Sequence, residues 1–310
     1  MNKKYVIVKI IAAIEILLVF IIFILFYLSR PVYTYRVIHI PKGSTNYTIK
    51  ELQKSGEDIA FFDKIFIRMF GYPQAGWIDL KDTKMSKFDF LYRLTTSKAA
   101  LAKITIIPGE TNYFIFKQIS NKLKIPNFKC DIDEGFLKPD TYYLPIGMDK
   151  KRVCLYLYKN SLKWHKSISN RFLGVWNYKV YKQKLIIASI IQKEAANVKE
   201  MPLISAVIYN RLKKHMKLQM DGSLNYGKYS HTKITPERLK NDKSFYNTYL
   251  NYGLPKEPVC VISKEALVAA FFPSHVKYLY FFRCGKNHIF AKTYKQHLYN
   301  IRHCTKNKLP

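Results

Sequence analysis

One run of residues limits what this chain can be more than any other. From Tyr5 to Leu28 the sequence is almost entirely apolar, and Ser29, Arg30 and Pro31 close the run. About 20 helical residues cross a hydrocarbon core of about 30 Å, so the run is long enough to span a bilayer. It exceeds the apolar region of a cleaved secretion signal, and no small-x-small cleavage site follows it. Residues 1–30 therefore read as a single uncleaved transmembrane signal anchor. Lys3, Lys4 and Lys9 slightly outweigh Arg30 and Arg36, which puts the N-terminus in the cytoplasm and the rest of the chain outside the membrane. Glu15 lies within the span. It is either a contact to another helix or a carboxyl kept neutral or paired with a nearby Lys.

The chain has 310 residues, enough for two modules after the anchor. With 48% hydrophobic residues it can build a sizeable core. Lys and Arg number 52 against 21 Asp and Glu, a net charge of +31. That excess points to an anionic partner, either nucleic acid, lipid headgroups or an acidic polymer, or else to compositional drift. The lysines are dispersed and no recognition helix or paired RNA-binding aromatics stand out, so no nucleic-acid partner is expected. Five cysteines, Cys130, Cys154, Cys260, Cys284 and Cys304, show no Cys-x-x-Cys pair, and no His cluster has zinc spacing; no metal and no cofactor are expected. Buried unpaired cysteines are the expected state, with Cys260–Cys284 the alternative pair in an oxidising compartment.

The chemistry concentrates between Leu185 and Gly227. Ile187, Ile190, Ile191 and Glu194 fall at i, i+3, i+4 and i+7, so Glu194 shares the apolar face of a helix. A carboxyl on such a face is paired, turned to the rim, or kept protonated; the last is how a general acid is made. This helix is expected to end near Asn197 and another to begin at Met201-Pro202, where Leu203, Ala206, Val207 and Asn210 follow the same spacing. A polar run, Leu218 to Ser223, follows, closed by Asn225, Tyr226 and Gly227. Two helices each carrying a polar residue on an apolar face, beside a loop of hydrogen-bonding side chains, predict a cleft with an acid at its floor.

Short strand-like and helical stretches alternate elsewhere, predicting an α+β fold. Tyr35–Ile40 reads as a strand, Pro41-Lys42-Gly43-Ser44 as a turn, and Thr48–Lys54 and Ser86–Leu94 as helices. Lys103–Ile107 is a predicted strand and Tyr113–Leu123 a helix opened by Glu110 and Thr111. Gly135–Pro145 reads as a loop. Its Asp140 is the best second carboxylate, or alternatively an Asx-turn or helix cap. Lys150–Phe172, Pro236–Lys240 and Ser263–Phe272 are further predicted helices, and Lys277–Cys284 with Asn287–Phe290 a hairpin. The aromatic, proline-containing segment from Tyr246 to Pro258 either stacks sugar rings or packs as an ordinary loop.

These motifs together resemble the YceG-like, or MltG, family of endolytic murein transglycosylases. The resemblance rests on Gln192-Lys193-Glu194-Ala195, on Asn210-Arg211-Leu212, and on Leu218-Gln219-Met220-Asp221-Gly222-Ser223 through Tyr226-Gly227. Tyr246-Asn247-Thr248-Tyr249, Gly253-Leu254-Pro255, Tyr278–Phe281, His288-x-Phe290, His297 and, upstream, Glu134–Tyr142 continue it, in order, from about Pro108 to His297. The resemblance implies a LysM-like α+β module over 31–102 that binds glycan or acts as a spacer, and a larger α+β catalytic domain over 103–310. It implies a lyase that cuts nascent peptidoglycan strands between MurNAc and GlcNAc, leaving 1,6-anhydro-MurNAc ends and so terminating elongation near the synthases, on the outer, periplasmic side of the bacterial inner membrane. Glu194 would be the catalytic acid. Asn210, Gln219, Asp221, Ser223, Tyr226, Asn247 and Asp140 would bind substrate, with Gln219, Asp221 and Asn247 steadying oxocarbenium charge. The sequence departs from the family at Ala195, usually Thr, at Gln192, usually Glu, and at Cys260-Val261-Ile262-Ser263, where an Asn-Pro-Gly turn is common. Two rival readings remain open: a muramidase-type hydrolase in which Asp140 or Asp221 activates water, and a catalytically silent glycan-binding anchor.

Overall fold

The structure is a computed structural model and describes residues 3–306. Residues 1, 2 and 307–310, included in the expected domain bounds, lie outside the described residues. The described chain falls into two compact units, one of the residues up to 102 together with 144–149, the other of 103–143 and the residues from 150 on.

The first unit begins with helix α1 (Lys3–Ser29), whose segment Tyr5–Ser29 is long and apolar enough to cross a membrane. After it come β1 (Pro31–Tyr33), β2 (Val37–Ile40), α2 (Thr45–Lys54), α3 (Asp63–Phe70), β3 (Gly76–Asp79), β4 (Lys84–Ser86) and α4 (Lys87–Thr96). β1 pairs antiparallel with β4, and β2 with β3 in the register Ile38↔Ile78. The expected Pro41–Ser44 turn leads β2 into α2, where Ser44 Oγ accepts the Tyr47 N–H as an N-cap. Ser86 caps α4 in the same way through the Asp89 N–H, and its hydroxyl donates back to the Asp89 carboxylate. Ile38, Ile40, Ile49, Leu52, Ile67, Ile78, Phe90 and Leu94 form the core. α3, β3 and β4 were not legible in the sequence. α3 is short, with only Asp63 and Ile67 buried, and its apolar residues are split between the core and an exposed face that carries Ile65 and Met69.

The second unit contains most of β5 (Leu101–Ile106) and β6 (Asp140–Pro145), whose residues 101–102 and 144–145 fall in the first, together with α5 (Asn112–Leu123), α6 (Lys150–Leu173), α7 (Tyr178–Glu194), α8 (Met201–Lys213), α9 (Pro236–Asn241), α10 (Lys264–Phe271), β7 (Tyr280–Cys284), β8 (Asn287–Ala291) and α11 (Tyr294–Lys306). β5 pairs with β6, so the stretch expected to be a loop around Asp140 is partly a strand. β7 and β8 form the expected hairpin, with Arg283 opposite His288.

α7 is the centre of this unit. Every residue from Leu185 to Ile191 is buried, against α8 and α10 among others. A helix buried all round loses the one-sided pattern from which Glu194 was placed. What places Glu194 is the helix end: α7 stops at Glu194, three residues before the expected Asn197, and a short 3-10 turn at Val198–Glu200 leads into α8. His165 of α6 ties this region together. Its Nε2 lies 2.8 Å from the Phe136 carbonyl and its Nδ1 2.8 Å from the Tyr181 hydroxyl, and burial lowers its pKa to about 4, so the ring is neutral.

The cysteines differ from expectation. Cys130 is bonded to Cys154 and Cys284 to Cys304, while Cys260 is free and buried. Cys260 cannot reach Cys284 because it sits against α7, its Sγ 3.6 Å from the Ser189 carbonyl. Cys284 at the end of β7 faces α11, an element the sequence reading did not anticipate. The segment carrying Cys260 is held by Gly109 N–H to the Val261 carbonyl, Val261 N–H to the Glu110 carbonyl and Val259 N–H to Ser189 Oγ.

Candidate active site

Glu194 closes α7 at the floor of a cleft of 420 Å³. Its Oε1 accepts the backbone N–H of Gly222 at 2.6 Å. Gly222 lies in the 3-10 turn Asp221–Leu224, and a Cβ there would meet Lys193 Cβ at 2.6 Å and Glu194 Oε1 at 3.0 Å. Only glycine lets the turn approach the carboxyl this closely. Burial raises the Glu194 pKa to about 7; the Gly222 bond opposes this and the Asp221 charge adds to it. The position at a helix C-terminus acts in the same direction, since exposed carbonyls there disfavour a negative charge. The side chain can therefore hold a proton at neutral pH and give it up.

Asp221 and Gln219 line the same cleft. Asp221 Oδ1 accepts the Tyr249 hydroxyl at 2.6 Å. Gln219 has φ +48°, a strained left-handed conformation for a side-chain-bearing residue, and its Oε1 accepts from Arg211 at 3.2 Å. The other expected residues stand elsewhere. Asn210 donates to the carbonyls of Val276 and Tyr278, joining α8 to the approach to β7. Ser223 is buried, donating to the Met220 carbonyl and touching Thr248 Oγ1. Asn247 is buried too: its amide donates to the Leu239 and Asp242 carbonyls, and its Oδ1 accepts the Tyr249 N–H, so it sets the turn that presents Tyr249. Tyr226 stacks on Tyr246 with ring centroids 4.3 Å apart and donates to Asp242. Those four support the cleft from behind and do not line it. Asp140 is not brought to it: the carboxylate is exposed on β6, 2.5 Å from Lys138 Nζ, and that hydrogen bond holds its pKa low.

Several lining residues were missed as site residues. Arg211 is buried in the wall, donating to the carbonyls of Leu279 and Leu218 and lying over the Tyr280 ring. Phe281, Arg283 and His288 come from the hairpin. His288 Nδ1 is 2.8 Å from Glu200 Oε2, and its backbone N–H donates to Glu200 Oε1 at 2.8 Å. Burial alone would raise the Glu200 carboxyl, but the His288 contacts outweigh it and hold the pKa low. Tyr249, Arg211, Phe281 and His288 all sit inside the quoted motifs; what the sequence lacked was the distinction between a motif residue that faces inward and one that faces the cleft. Gln192 does not line the cleft, and its Oε1 accepts the Ser263 N–H at the start of α10.

Fold and site define a class first: an α+β protein with a membrane-length N-terminal helix and a polar cleft built round one proton-holding carboxyl. The chain belongs to the YceG-like family, whose profile matches residues 38–303. It is 27% identical over 304 residues to the endolytic murein transglycosylase of Bacillus subtilis (strain 168), covering 84% of this chain and 82% of that protein. It is 27% identical over 252 residues to the endolytic murein transglycosylase of Streptococcus pneumoniae serotype 2, covering 77% of this chain but 44% of that longer protein. In fold it is similar to the crystal structure of a yceG-like protein from Listeria monocytogenes, with a TM-score of 0.53 at 23% identity, covering 88% of this chain and 99% of that one.

Proposed function

We propose that the chain is a membrane-anchored endolytic transglycosylase of peptidoglycan, with Glu194 as its one acid and base. The observation that carries this is the Glu194 carboxyl at the floor of the cleft, with its pKa raised to about 7. Two-carboxylate hydrolysis needs a partner to activate water or attack the sugar. A lytic reaction does not. The Glu194 proton passes to the glycosidic oxygen as the bond from C1 of MurNAc to that oxygen breaks. The C6 hydroxyl oxygen of the same sugar then bonds to C1, and its proton returns to Glu194. The products are a 1,6-anhydro-MurNAc end and a free GlcNAc hydroxyl, and no water enters. Asp221 and Gln219, which line the cleft, would steady the oxocarbenium-like charge.

The N-terminus is cytoplasmic, residues 1–30 anchor the chain, and the catalytic domain, 103–310, works on nascent strands outside the inner membrane, beside the synthases whose products it terminates. The two disulfides support an oxidising compartment. Residues 31–102 are LysM-like on the strength of the Pro41–Ser44 turn.

The rival hydrolase is favoured by one fact, that Asp221 shares the cleft with Glu194. Mass spectrometry of murein digested by the full-length protein separates the two: anhydro-muramyl ends support the lytic reaction, and reducing ends support hydrolysis. Glu194→Gln should keep the fold and release no glycan; undiminished release would reject Glu194 as the acid, and binding without cleavage by the native chain would favour a silent anchor.

A further inference from the structure

We infer that α3 is a second membrane element, lying with its apolar face in the acyl chains of the leaflet on the Arg30 side. The inference rests on the reading of α1 as a membrane span. A groove of 550 Å³ runs between α1 and α3, walled by Phe20, Phe23 and Tyr27 on one side and Phe66, Met69 and Phe70 on the other. The only polar atom among its lining side chains, the Tyr27 hydroxyl, is already bonded to Asp63. Along the groove, Ile65 is 63% and Met69 74% exposed, and Phe62 is exposed one turn earlier. Contiguous apolar surface of this kind on a water-facing module marks an interaction site.

Depth decides what covers it. Ile10–Ser29, the part of α1 beyond Lys9, is about 30 Å long at 1.5 Å per residue, the thickness of the hydrocarbon core. Phe20 lies about 13 Å below Ser29 along the helix. Even if all the excess of Tyr5–Ser29, about 7 Å, stood outside the hydrocarbon on the Arg30 side, the Phe20 end of the groove would remain in it. α3 is tied to the end of α1 directly through Tyr27 and indirectly through Lys87 of α4, which packs beside α1. The Tyr27 hydroxyl donates to Asp63 Oδ1 at 2.8 Å, Asp63 Oδ2 pairs with the fully buried Lys87 at 2.8 Å, and Arg30 pairs with Asp58 at 2.6 Å. So α3 shares the depth of the Phe20–Leu28 end of α1. Lys64, packed over the Phe61 ring, and exposed Arg68 flank the apolar face, as expected for a helix at an anionic headgroup boundary. The occupant is therefore lipid, and the module is held against the membrane and not only tethered to it.

The test uses the full-length chain, one copy per lipid-only nanodisc, with lipids brominated either high or deep in the acyl chain. Tryptophan is introduced in separate variants at exposed positions, Ile65→Trp and Met69→Trp on α3, Ile16→Trp in mid-span and Lys50→Trp on α2, and the emission of native Trp77, Trp164 and Trp176 is subtracted. The α3 variants should lose roughly half their emission to shallow bromines, matching a helix seated 5–10 Å into the boundary, while Lys50→Trp loses none. Quenching of Ile16→Trp with Ile65→Trp and Met69→Trp as unquenched as Lys50→Trp would overturn the inference alone. An unquenched Ile16→Trp would overturn the span and the inference with it. Two α3 positions keep the test decisive if one variant folds poorly.

Discussion

Glu134 and Glu194 are both buried carboxyls with pKa values raised by burial to about 7, yet their surroundings are opposite. Glu134 sits at the N-terminus of α5. Its carboxylate accepts the Asn112 N–H at 2.9 Å and the Gly135 N–H at 3.3 Å, and the Lys193 charge favours its ionised form. Glu194 sits at the C-terminus of α7, with one N–H donor and a cleft in front of it. A raised pKa alone therefore does not mark a catalytic acid. What separates the two is placement: Glu134 is taken up by the backbone N–H groups of Asn112 and Gly135, whereas Glu194 lines the cleft beside Asp221 and Gln219.

That contrast can be broken by experiment. Removing Glu194 as Glu194→Gln should reduce turnover on glycan strands by at least about 100-fold, the usual share of a general acid. Glu134→Gln should leave turnover within a few-fold and instead lower stability by about 1–2 kcal/mol, read by denaturant melts. Equal loss of activity in both variants would erase the distinction. Gly222→Ala should come next in size. Its Cβ would collide with Lys193 Cβ at 2.6 Å, displace the Asp221–Leu224 turn and remove the N–H that lowers the Glu194 pKa. The expected result is roughly tenfold slower turnover, with the alkaline limb of the rate profile moved to higher pH.

Stability should carry the same signature. Both carboxyls bind protons more tightly folded than unfolded, so their contribution is fully present below about pH 4.5 and is lost as pH rises through about 7. Each would contribute about 1–3 kcal/mol of pH dependence. Glu194→Gln should therefore flatten the fall in stability between about pH 4.5 and pH 7 without abolishing it. Opening the Cys130–Cys154 link with paired Ser substitutions should cost about 2–4 kcal/mol and leave the acid's rate profile unmoved.

The contrast also shows how far the sequence could be read. Helical spacing put Glu194 on an apolar face, and the motif around Gly222 put a polar turn near it. The closeness of Gly222 to Glu194 is a tertiary fact, 28 residues apart in the chain, with no local signal. Ser223 and Asn247 looked like ligand-binding side chains because a hydroxyl and an amide in a motif read alike whether they face a cleft or a carbonyl. Glu134 was quoted in a motif but not singled out, since the N–H groups it accepts belong to Asn112 and Gly135 and no side-chain pattern reveals them. The Cys284–Cys304 bond was illegible for a related reason: it depends on α11, whose amphipathic pattern was not recognised.

The most direct measurement is the titration of Glu194 itself, followed by the carboxyl carbon resonance in glutamate-labelled full-length protein and assigned by its absence in Glu194→Gln. The account predicts a midpoint near 7, as for a carboxyl that carries its proton into the reaction. A midpoint near the ordinary value of about 4.3 would mean the side chain is solvated and ionised in the resting protein, and the acid role proposed for it would be lost.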